Sequence, residues 1–437
     1  MRDGARAQAA IEILEDSQSF KRLPAMSLKD WALKHRFAGS KDRSAIGDIV
    51  FMALRLRASS AHKLRYDAPR AWVLGALVWG FGLNVQKLID DAAAEVHAYS
   101  PPTDLEIAAL VAHNTEKAPP WIIGDYPEWL DSSMATIFGE SRVEQLAAMA
   151  KPAPLDLRVN TERVSVDKAL AELLTSPKLN VTPSKTKLSP WGIRIPWSVG
   201  KNFPFAVEPS FLKGEFEVQD EASQLCALLT GAKSGQKIAD ICAGGGGKTL
   251  ALAAMTNDNA TIIAYDVDPN RIAPIHDRLR RAGVNSVEIR TERKGASALA
   301  DLAGKMDIVL VDAPCTGSGT WRRAPDTKWR LTPQNLEKRQ GDQQAALRIG
   351  APLVKVGGTL CYVTCSILPQ ENDDSIEWFL AENNGFVVKD ISKHLKQLDL
   401  EYLLEHVILT KYGIQFTPLT SDTDGFYVAI LERKSGS

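Results

Sequence analysis

The chain has 437 residues, more than one typical domain holds, which predicts two or three domains. Hydrophobic residues make up 45% and charged residues 24% of the composition, which is ordinary for a soluble globular protein. The apolar runs are too short and too interrupted for a transmembrane helix, and no signal-peptide core follows Met1. We therefore expect a cytoplasmic protein that is not located in a membrane.

The five cysteines are few and unevenly placed. All lie between Cys226 and Cys365, their number is odd, and they form no Cys-x-x-Cys pair. A disulfide framework would be paired, and a zinc site would show paired thiols. The sequence therefore predicts free thiols in a reducing compartment and no metal.

The charge is small overall but unevenly distributed. The formal net charge of −1 disfavours a nucleic-acid partner. However, residues 1–71 hold 14 Lys or Arg against 8 Asp or Glu, whereas residues 72–150 hold 3 against 11. This asymmetry is typical of a local basic surface, and a solvated charged face is the alternative.

The N-terminal part of the chain is predicted to be helical. Ala-rich amphipathic stretches at 7–14, 44–56 and 71–81 predict an all-helical bundle over residues 1–140, with proline pairs at 101–102 and 119–120 as turns. Residues 151–215 change character. Strand-like alternation at 155–160 and 192–196 and a helical stretch at 167–174 predict a small α+β domain.

From residue 216 onward, strand and helix patterns alternate. Strand-like runs lie at 237–242, 261–265, 287–289, 307–311 and 359–363, and helical stretches at 249–255, 270–282, 335–353 and 372–381. This alternation predicts a parallel sheet with helices on both faces. Ligands of such sheets bind at the carboxyl ends of the strands, where the strand order reverses.

A glycine-rich turn follows the first of these strands, at Cys242-Ala243-Gly244-Gly245-Gly246-Gly247-Lys248. A P-loop would need glycine at position 242, and a dinucleotide fingerprint would need glycine at position 249, which is threonine. The remaining ligand-binding interpretation is the turn of class I methyltransferases, which cradles S-adenosylmethionine. A tight turn that only packs strand on helix is the alternative.

The next strand ends at Asp266. A carboxylate at this place could accept hydrogen bonds from both ribose hydroxyls of an adenosine. The alternative is a turn residue at the entry of the next helix, where Asp268 is the expected cap.

Two cysteines follow strand-like runs, in Asp312-Ala313-Pro314-Cys315 and in Thr364-Cys365-Ser366. A lone cysteine usually belongs to the core, and we assign that role to Cys226 and Cys361. Two loop cysteines on one sheet edge favour chemistry instead. A thiolate there could attack carbon 6 of a pyrimidine, which makes carbon 5 nucleophilic enough to take a methyl group from a sulfonium.

Two charged residues could assist that thiolate. Asp312 could hold the base by its polar edge, and Lys248 could place positive charge near the nucleophile. A further group must then remove the carbon 5 proton so that the enzyme can leave.

These features together resemble the Nop/Sun family of RNA (cytosine-5) methyltransferases. The motifs are the Gly-Gly-Lys-Thr turn, Asp-Ala-Pro-Cys, Thr-Cys-Ser, residues 218–223 and residues 424–427. The resemblance covers about residues 150–434, and its paired cysteines are highly specific, because DNA cytosine methyltransferases use only the Pro-Cys cysteine. The N-terminal region is similar to the NusB-like RNA-binding domain of bacterial RsmB-type members, which methylate small-subunit ribosomal RNA.

The resemblance implies a role for each candidate residue. Cys365 would be the nucleophile, Cys315 would assist product release, and Asp312 would lie between cofactor and cytosine. S-adenosylmethionine would be held by Cys242, Ala243, Gly244, Gly245, Gly246, Gly247 and Lys248, with Asp266 at its ribose. Two departures stand out: Gly244-Gly245 replaces the usual Ala-Pro, which predicts a looser turn, and Glu292 replaces an Asp near the adenine.

Basic residues follow the Cys315 loop, at Arg322-Arg323 and at Lys328-Trp329-Arg330. Cations beside an aromatic ring suit a phosphate backbone and an unstacked base. A solvated loop is the alternative.

The expected fold class is α/β. It comprises a helical NusB-like domain (1–140), a small α+β linking domain (151–215) and a Rossmann-like class I methyltransferase domain (216–434). The expected function is methylation of carbon 5 of an RNA cytosine, in 16S ribosomal RNA, through a Cys365 adduct. We expect RNA as partner, no membrane, no metal and a monomer. The alternatives are an RNA-binding or ribosome-assembly factor with a degenerate methyltransferase fold, or the same chemistry on transfer RNA.

Overall fold

The structure is a computed structural model of the chain. It describes all residues except 20, 113–117, 177–178, 180–181, 292–294 and 436–437, and of residues 295–297 only the backbone. The described chain divides into two compact units. The first comprises Met1–Lys151 and Trp321–Arg330, and the second comprises Pro152–Thr320 and Leu331–Ser437. The predicted three domains, with boundaries near 140 and 215, stay a prediction.

The first unit is built from helices, as the sequence predicted. They span Asp3–Ser19, Pro24–Lys34, Ser40–Arg55, Arg57–Leu64, Pro69–Gly75, Val85–Ala93, Asp104–Val111, Pro120–Ile123, Asp131–Phe138, Arg142–Ala150 and Asp326–Arg330. Small and branched side chains of the first helix, such as Ala10 and Leu14, are buried with Trp72 in one core. The predicted helix at 71–81 has two parts, because the α-helix ending at Gly75 continues as a π-helical turn over Ala76–Gly80.

The segment Trp321–Arg330 belongs to this helical unit. Lys328 is only 4% exposed, and its ammonium donates to the main-chain carbonyls of Arg55 and Asp125. The Trp329 indole donates to the Leu54 carbonyl at 2.6 Å. Arg322 is likewise buried. The prediction that this basic segment faces RNA as a loop is therefore wrong for Lys328, Trp329 and Arg322, because their polar atoms cap helix carbonyls or are buried.

The second unit begins with a small antiparallel sheet. Its strands are β1 (Leu155–Val159), β2 (Ser184–Lys185), β3 (Gly192–Ile195) and β4 (Phe216–Val218), in the order β2-β3-β1-β4. The helix Val166–Leu174 packs Ala169 and Leu173 into the same core as Leu157 and Ile193. The two strands and the helix predicted for this region are therefore present.

A larger mixed sheet follows. Its strands are β5 (Lys237–Ile241), β6 (Thr261–Tyr265), β7 (Val287–Arg290), β8 (Met306–Asp312), β9 (Val354–Thr364), β10 (Phe386–Val388), β11 (Ile408–Leu409), β12 (Ile414–Phe416) and β13 (Phe426–Arg433). The order is β11-β12-β13-β9-β8-β5-β6-β7, with β10 paired to β13. Strands β5 to β9 pair in parallel, whereas β10 to β13 pair antiparallel. The strand order reverses between β5 and β8, which makes that edge the expected ligand site.

Helices cover both faces of this sheet. Those of the second unit also include Trp197–Gly200, Pro209–Leu212, Glu221–Leu228, Gly247–Met255, Pro269–Ile272, Ile275–Ala282, Pro333–Gly350, Asp373–Glu382, Ile391–Gln397 and Pro418–Ser421. Alternate residues of β8 are buried in different hydrophobic cores. Val309 and Val311 belong to one core, and Ile308 and Leu310 belong to the other. The period of two shows that both faces are covered, and it confirms the α/β fold class.

Candidate active site

A cavity of about 680 Å³ lies at the carboxyl edge of the parallel strands. A volume of this size suits a small-molecule ligand. Its lining includes most of the predicted site residues: Cys242, Ala243, Gly244, Gly245, Gly247, Lys248, Asp312, Cys315 and Cys365. Gly246 and Asp266 are not part of the lining, and Glu292 lies outside the described residues.

The glycine-rich turn makes an abrupt change of direction between β5 and the helix Gly247–Met255. Cys242, Gly244 and Gly246 all have positive φ, at +66°, +50° and +78°. Glycine adopts this backbone without cost, whereas Cys242 is strained by it. The amide of Ala243 donates to the Tyr265 carbonyl at 2.9 Å, so the turn is tied to β6.

The turn is also held from outside by Arg278. This guanidinium donates to the Gly245 carbonyl at 2.6 Å and to the Glu217 carboxylate at 3.0 Å. The sequence predicted a looser turn at Gly244-Gly245. The structure adds a constraint that the local sequence did not indicate, because Arg278 is 33 residues away along the chain.

Gly246 packs the turn rather than lining the cavity. A Cβ at this position would lie 2.3 Å from Cγ1 of Ile275, where no carbon can be accommodated. Glycine is therefore required here both by the left-handed backbone and by the neighbouring helix.

We expect Gly246→Ala to destabilise the second unit clearly more than Gly235→Ala does. Gly235 has φ +83° but nothing within 4 Å of the position that an added methyl group would take, so its substitution carries the backbone strain alone, ~1 kcal/mol. Overlap with Ile275 should add about 1–3 kcal/mol for Gly246→Ala. Urea unfolding of both variants measures the difference, and equal midpoints would contradict the packing argument.

Asp266 holds the turn from the end of β6. It is 1% exposed, and its carboxylate accepts from the amides of Gly244 at 3.1 Å and Asp268 at 3.0 Å. Arg271 lies 3.8 Å away. Asp268 caps the following short helix, as predicted, by accepting from the Asn270 amide. Each oxygen of Asp266 keeps a second lone pair, so the contacts are compatible with a further donor.

Asp312 and Lys248 form an ion pair at the cavity wall. The Lys248 Nζ lies 2.8 Å from Asp312 Oδ2, and the lysine is only 6% exposed. Burial alone would lower the pKa of Lys248, but the Asp312 carboxylate raises it above its usual value. The Asp312 carboxylate therefore favours the charged form of Lys248, which also lies 5.0 Å from the Phe426 ring centroid.

The two loop cysteines come together, as their places at the ends of β8 and β9 predicted. Their Sγ atoms are 3.2 Å apart. The hydrogen bond with Cys365 and burial raise the pKa of Cys315 well above its usual value. The raised pKa favours the protonated form of Cys315, and either thiol can donate in this contact.

The other cysteines behave differently. Cys226 and Cys361 are 0% exposed in the core, where the sequence placed them, and burial raises the pKa of Cys361 to about 12. Cys242 lines the cavity, and burial raises its pKa as well. These thiols stay protonated near neutral pH and are poor nucleophiles.

Several cavity residues were missed from the sequence. They are Gln219, Asp220, Ser223, Arg271, Arg278 and Arg339. The first three lie in the motif at 218–223, which carried a family signal without an assigned role. The arginines lie on helices, and no role was predicted for them from the sequence. Each arginine also lies within 4 Å of a carboxylate, so the cavity wall carries charges of both signs.

Among the residues that the structure describes, no cluster of three or more His, Cys, Asp or Glu side chains could hold a metal ion. Nor does any helix in the described part of the chain have the length and apolar character needed to cross a membrane.

Two family models match the chain. The model for 16S rRNA methyltransferase RsmB/F matches residues 227–432, and the ferredoxin-like domain of RsmF/B-like methyltransferases matches residues 126–199.

Curated relatives extend this match. The probable ribosomal RNA small subunit methyltransferase B of Synechocystis is 35% identical over 60% of this chain and 57% of its own length. The ribosomal RNA small subunit methyltransferase B of Citrobacter koseri is 30% identical over 71% of this chain and 67% of its own. This chain spans 57 to 66% of the length of three of the curated relatives that it matches.

A solved structure supports the same fold. The methyltransferase homolog protein from Pyrococcus horikoshii is 27% identical, with a TM-score of 0.56, over 72% of this chain and 98% of that chain.

The geometry fits the cofactor that the resemblance implied. Gly244 and Gly245 present backbone without Cβ atoms to a cavity large enough for a nucleoside-sized ligand. S-adenosylmethionine is the cofactor of this methyltransferase fold. From these matches and the site geometry, the chain belongs to the RsmB/F family of 16S rRNA methyltransferases.

Proposed function

We propose that this chain methylates carbon 5 of a cytosine in RNA, with 16S ribosomal RNA as substrate, through a covalent bond to Cys365. The observation that carries the proposal is the thiol pair, with Cys315 and Cys365 Sγ atoms 3.2 Å apart at the wall of the cavity. A protonated thiol beside a second sulfur gives the two groups different roles. If the glycine-rich turn only packed strand against helix, neither thiol would be needed at the cavity wall.

Cys365 is the proposed nucleophile. Its thiolate attacks carbon 6 of the cytosine, and the electron pair of the carbon 5–carbon 6 double bond becomes available at carbon 5. S-adenosylmethionine, when bound, supplies the electrophilic methyl group. Water in the cavity, acting as the base, then takes the carbon 5 proton; the C–H electron pair restores the carbon 5–carbon 6 double bond, and the carbon 6–sulfur bond breaks with its pair returning to the Cys365 sulfur.

Cys315 assists that last step in the proposal. It holds a proton 3.2 Å from the Cys365 sulfur, so it can donate a hydrogen bond to the thiolate as it leaves. The Lys248–Asp312 pair lies at the same wall and offers the polar edge of the base both a donor and an acceptor. The turn from Cys242 to Lys248 would hold the cofactor, with Asp266 at its ribose.

Bisulfite sequencing of total RNA, from source cells with and without the gene, tests the proposal. Loss of one protected cytosine in 16S ribosomal RNA would support it and identify the site. Loss in transfer RNA would keep the chemistry and change the substrate. No change at any cytosine would favour an RNA-binding or assembly factor that retains the fold without the activity.

We expect Lys248→Met to lower kcat about 100-fold, because it removes the positive charge at the cavity wall while keeping the side-chain length. Asp312 is 31% exposed, so water can solvate the carboxylate left behind, and the fold should persist. Lys237→Met is the control, because Lys237 is exposed at the start of β5. Single-turnover methyl transfer measures the rates, and a Lys248→Met rate within threefold of wild type would contradict the role.

A further inference from the structure

We propose that Glu371 is a positioning residue that holds the two cysteine loops at their working separation. The proposal rests on the proposed function, because it concerns the same two cysteines. Glu371 lies in a short helical turn after β9, is 0% exposed and does not line the cavity. It therefore acts through other residues rather than on a substrate.

Its carboxylate accepts hydrogen bonds from the residue that follows each of the two cysteines. Oε1 accepts from the Thr316 amide at 2.8 Å, and Oε2 accepts from the Thr316 hydroxyl at 2.5 Å. Oε2 also accepts from the Ser366 hydroxyl at 2.5 Å. Thr316 follows Cys315 and Ser366 follows Cys365, so one buried group ties both loops together.

Gln343 completes the hold on the first loop. Its amide nitrogen donates to Glu371 Oε1 at 2.8 Å and to the Pro314 carbonyl at 3.1 Å. Pro314 precedes Cys315 and Thr316 follows it. The backbone of Cys315 is therefore fixed on both sides by the same Glu371–Gln343 pair.

A chain of hydrogen bonds, in which every donor points the same way, runs from the Cys365 loop to Glu371. The Ile367 amide donates to the Ser318 hydroxyl oxygen at 2.9 Å, and the Ser318 and Ser366 hydroxyls are 2.9 Å apart. Because Ser366 donates its proton to Glu371, Ser318 must donate to Ser366. Ser318 belongs to the Cys315 loop and Ser366 to the Cys365 loop, so the chain crosses between them and ends on the carboxylate.

The contacts of Glu371 are those of an ionised group. Burial raises the pKa of Glu371, but its hydrogen bonds from Ser366, Thr316 and Gln343 oppose that shift. The Thr316 and Ser366 hydroxyls both donate to Oε2, so an amide nitrogen at that place would force both hydroxyls to reverse and accept, which breaks the direction of the chain. The charge of Glu371 also adds to the causes that keep the proton on Cys315, after the Cys365 hydrogen bond and burial.

Oxidative crosslinking of the two thiols tests the placement in the full chain, without RNA or cofactor. Diamide takes two electrons and two protons from the thiols, its azo group becomes a hydrazine, and a Cys315–Cys365 disulfide forms. Peptide mapping by mass spectrometry follows its rate. Loss of the Glu371 charge favours the Cys315 thiolate and by itself would speed oxidation. A slower rate in folded Glu371→Gln would therefore run against the charge effect and report lost placement.

We expect Glu371→Gln to crosslink at least tenfold more slowly than wild type, and Thr316→Val, which loses one hydroxyl donor, about threefold more slowly. Glu221→Gln is the control, since Glu221 is equally buried and accepts from the Leu188 and Ser189 amides instead. It should stay within twofold of wild type. In methyl transfer, Glu371→Gln should lower kcat at least tenfold and leave the KM for S-adenosylmethionine within twofold.

A wild-type crosslinking rate in folded Glu371→Gln would overturn the proposal, as would the absence of crosslinking in the wild-type protein. If Glu371→Gln does not fold, Thr316→Val decides in the same way. Slower crosslinking in a protein that methylates no RNA would support the positioning role and overturn the proposed function alone.

Discussion

Replacing Cys365 with alanine is expected to abolish methyl transfer, with a loss on the order of 10⁴-fold or more, as for other enzymes without their nucleophile. The reason is chemical: without the carbon 6–sulfur bond, carbon 5 of a cytosine is too weak a nucleophile to take the methyl group. Transfer of labelled methyl from S-adenosylmethionine to 16S ribosomal RNA measures the effect. The variant should still bind S-adenosylmethionine, because the substitution leaves the glycine-rich turn unchanged. Calorimetry measures that affinity.

Cys361→Ala is the matched control for that substitution. Cys361 lies on β9, the strand that Cys365 follows, four residues before Cys365, and it is fully buried. Its loss should cost some stability and leave the rate of methyl transfer unchanged. Activity above one tenth of wild type in Cys365→Ala would show that another group makes the bond to carbon 6.

Cys315→Ala is expected to trap the RNA on the protein instead of abolishing the reaction. Cys365 can still attack, but the thiol that lies 3.2 Å from its sulfur is gone when the carbon 6–sulfur bond must break. The covalent complex should accumulate at least tenfold above wild type and survive denaturation. A denaturing gel with labelled 16S ribosomal RNA fragments and S-adenosylmethionine measures it.

The double variant Cys315→Ala/Cys365→Ala is the control, because it lacks the sulfur that bonds the base. It should give no adduct. Full turnover by Cys315→Ala without an adduct would remove Cys315 from product release and leave the thiol pair unexplained.

Much of the second unit could be predicted because its patterns are local. Strands β5, β6 and β8 contain short apolar runs followed by a turn, and such a run can be recognised without the rest of the chain. The cysteines follow from this directly. Once β8 and β9 are parallel, residues at their carboxyl ends must lie at one edge, and the Sγ atoms are 3.2 Å apart.

Other features depend on partners that are distant in sequence. Strands β10 to β13 were not predicted: β10, β11 and β12 have only two or three residues, and their pairing within the antiparallel part of the sheet supplies the stability that their own sequence lacks. The basic segment at 321–330 looked like a solvated or RNA-facing loop. Its Lys328 is instead bonded to main-chain carbonyls at residues 55 and 125, which no local pattern reveals.

By itself, the sequence determined the class of the fold, the glycine-rich turn, the cysteine pair and the family, because these depend on residue types at short spacings. Only the tertiary structure decided how the site is held. Arg278 braces Gly245, Ile275 excludes a side chain at Gly246, and Glu371 ties the two cysteine loops. The physical reason is that a hydrogen bond or a steric contact acts over a few ångströms of space, whereas its partners here are up to 55 residues apart in the chain.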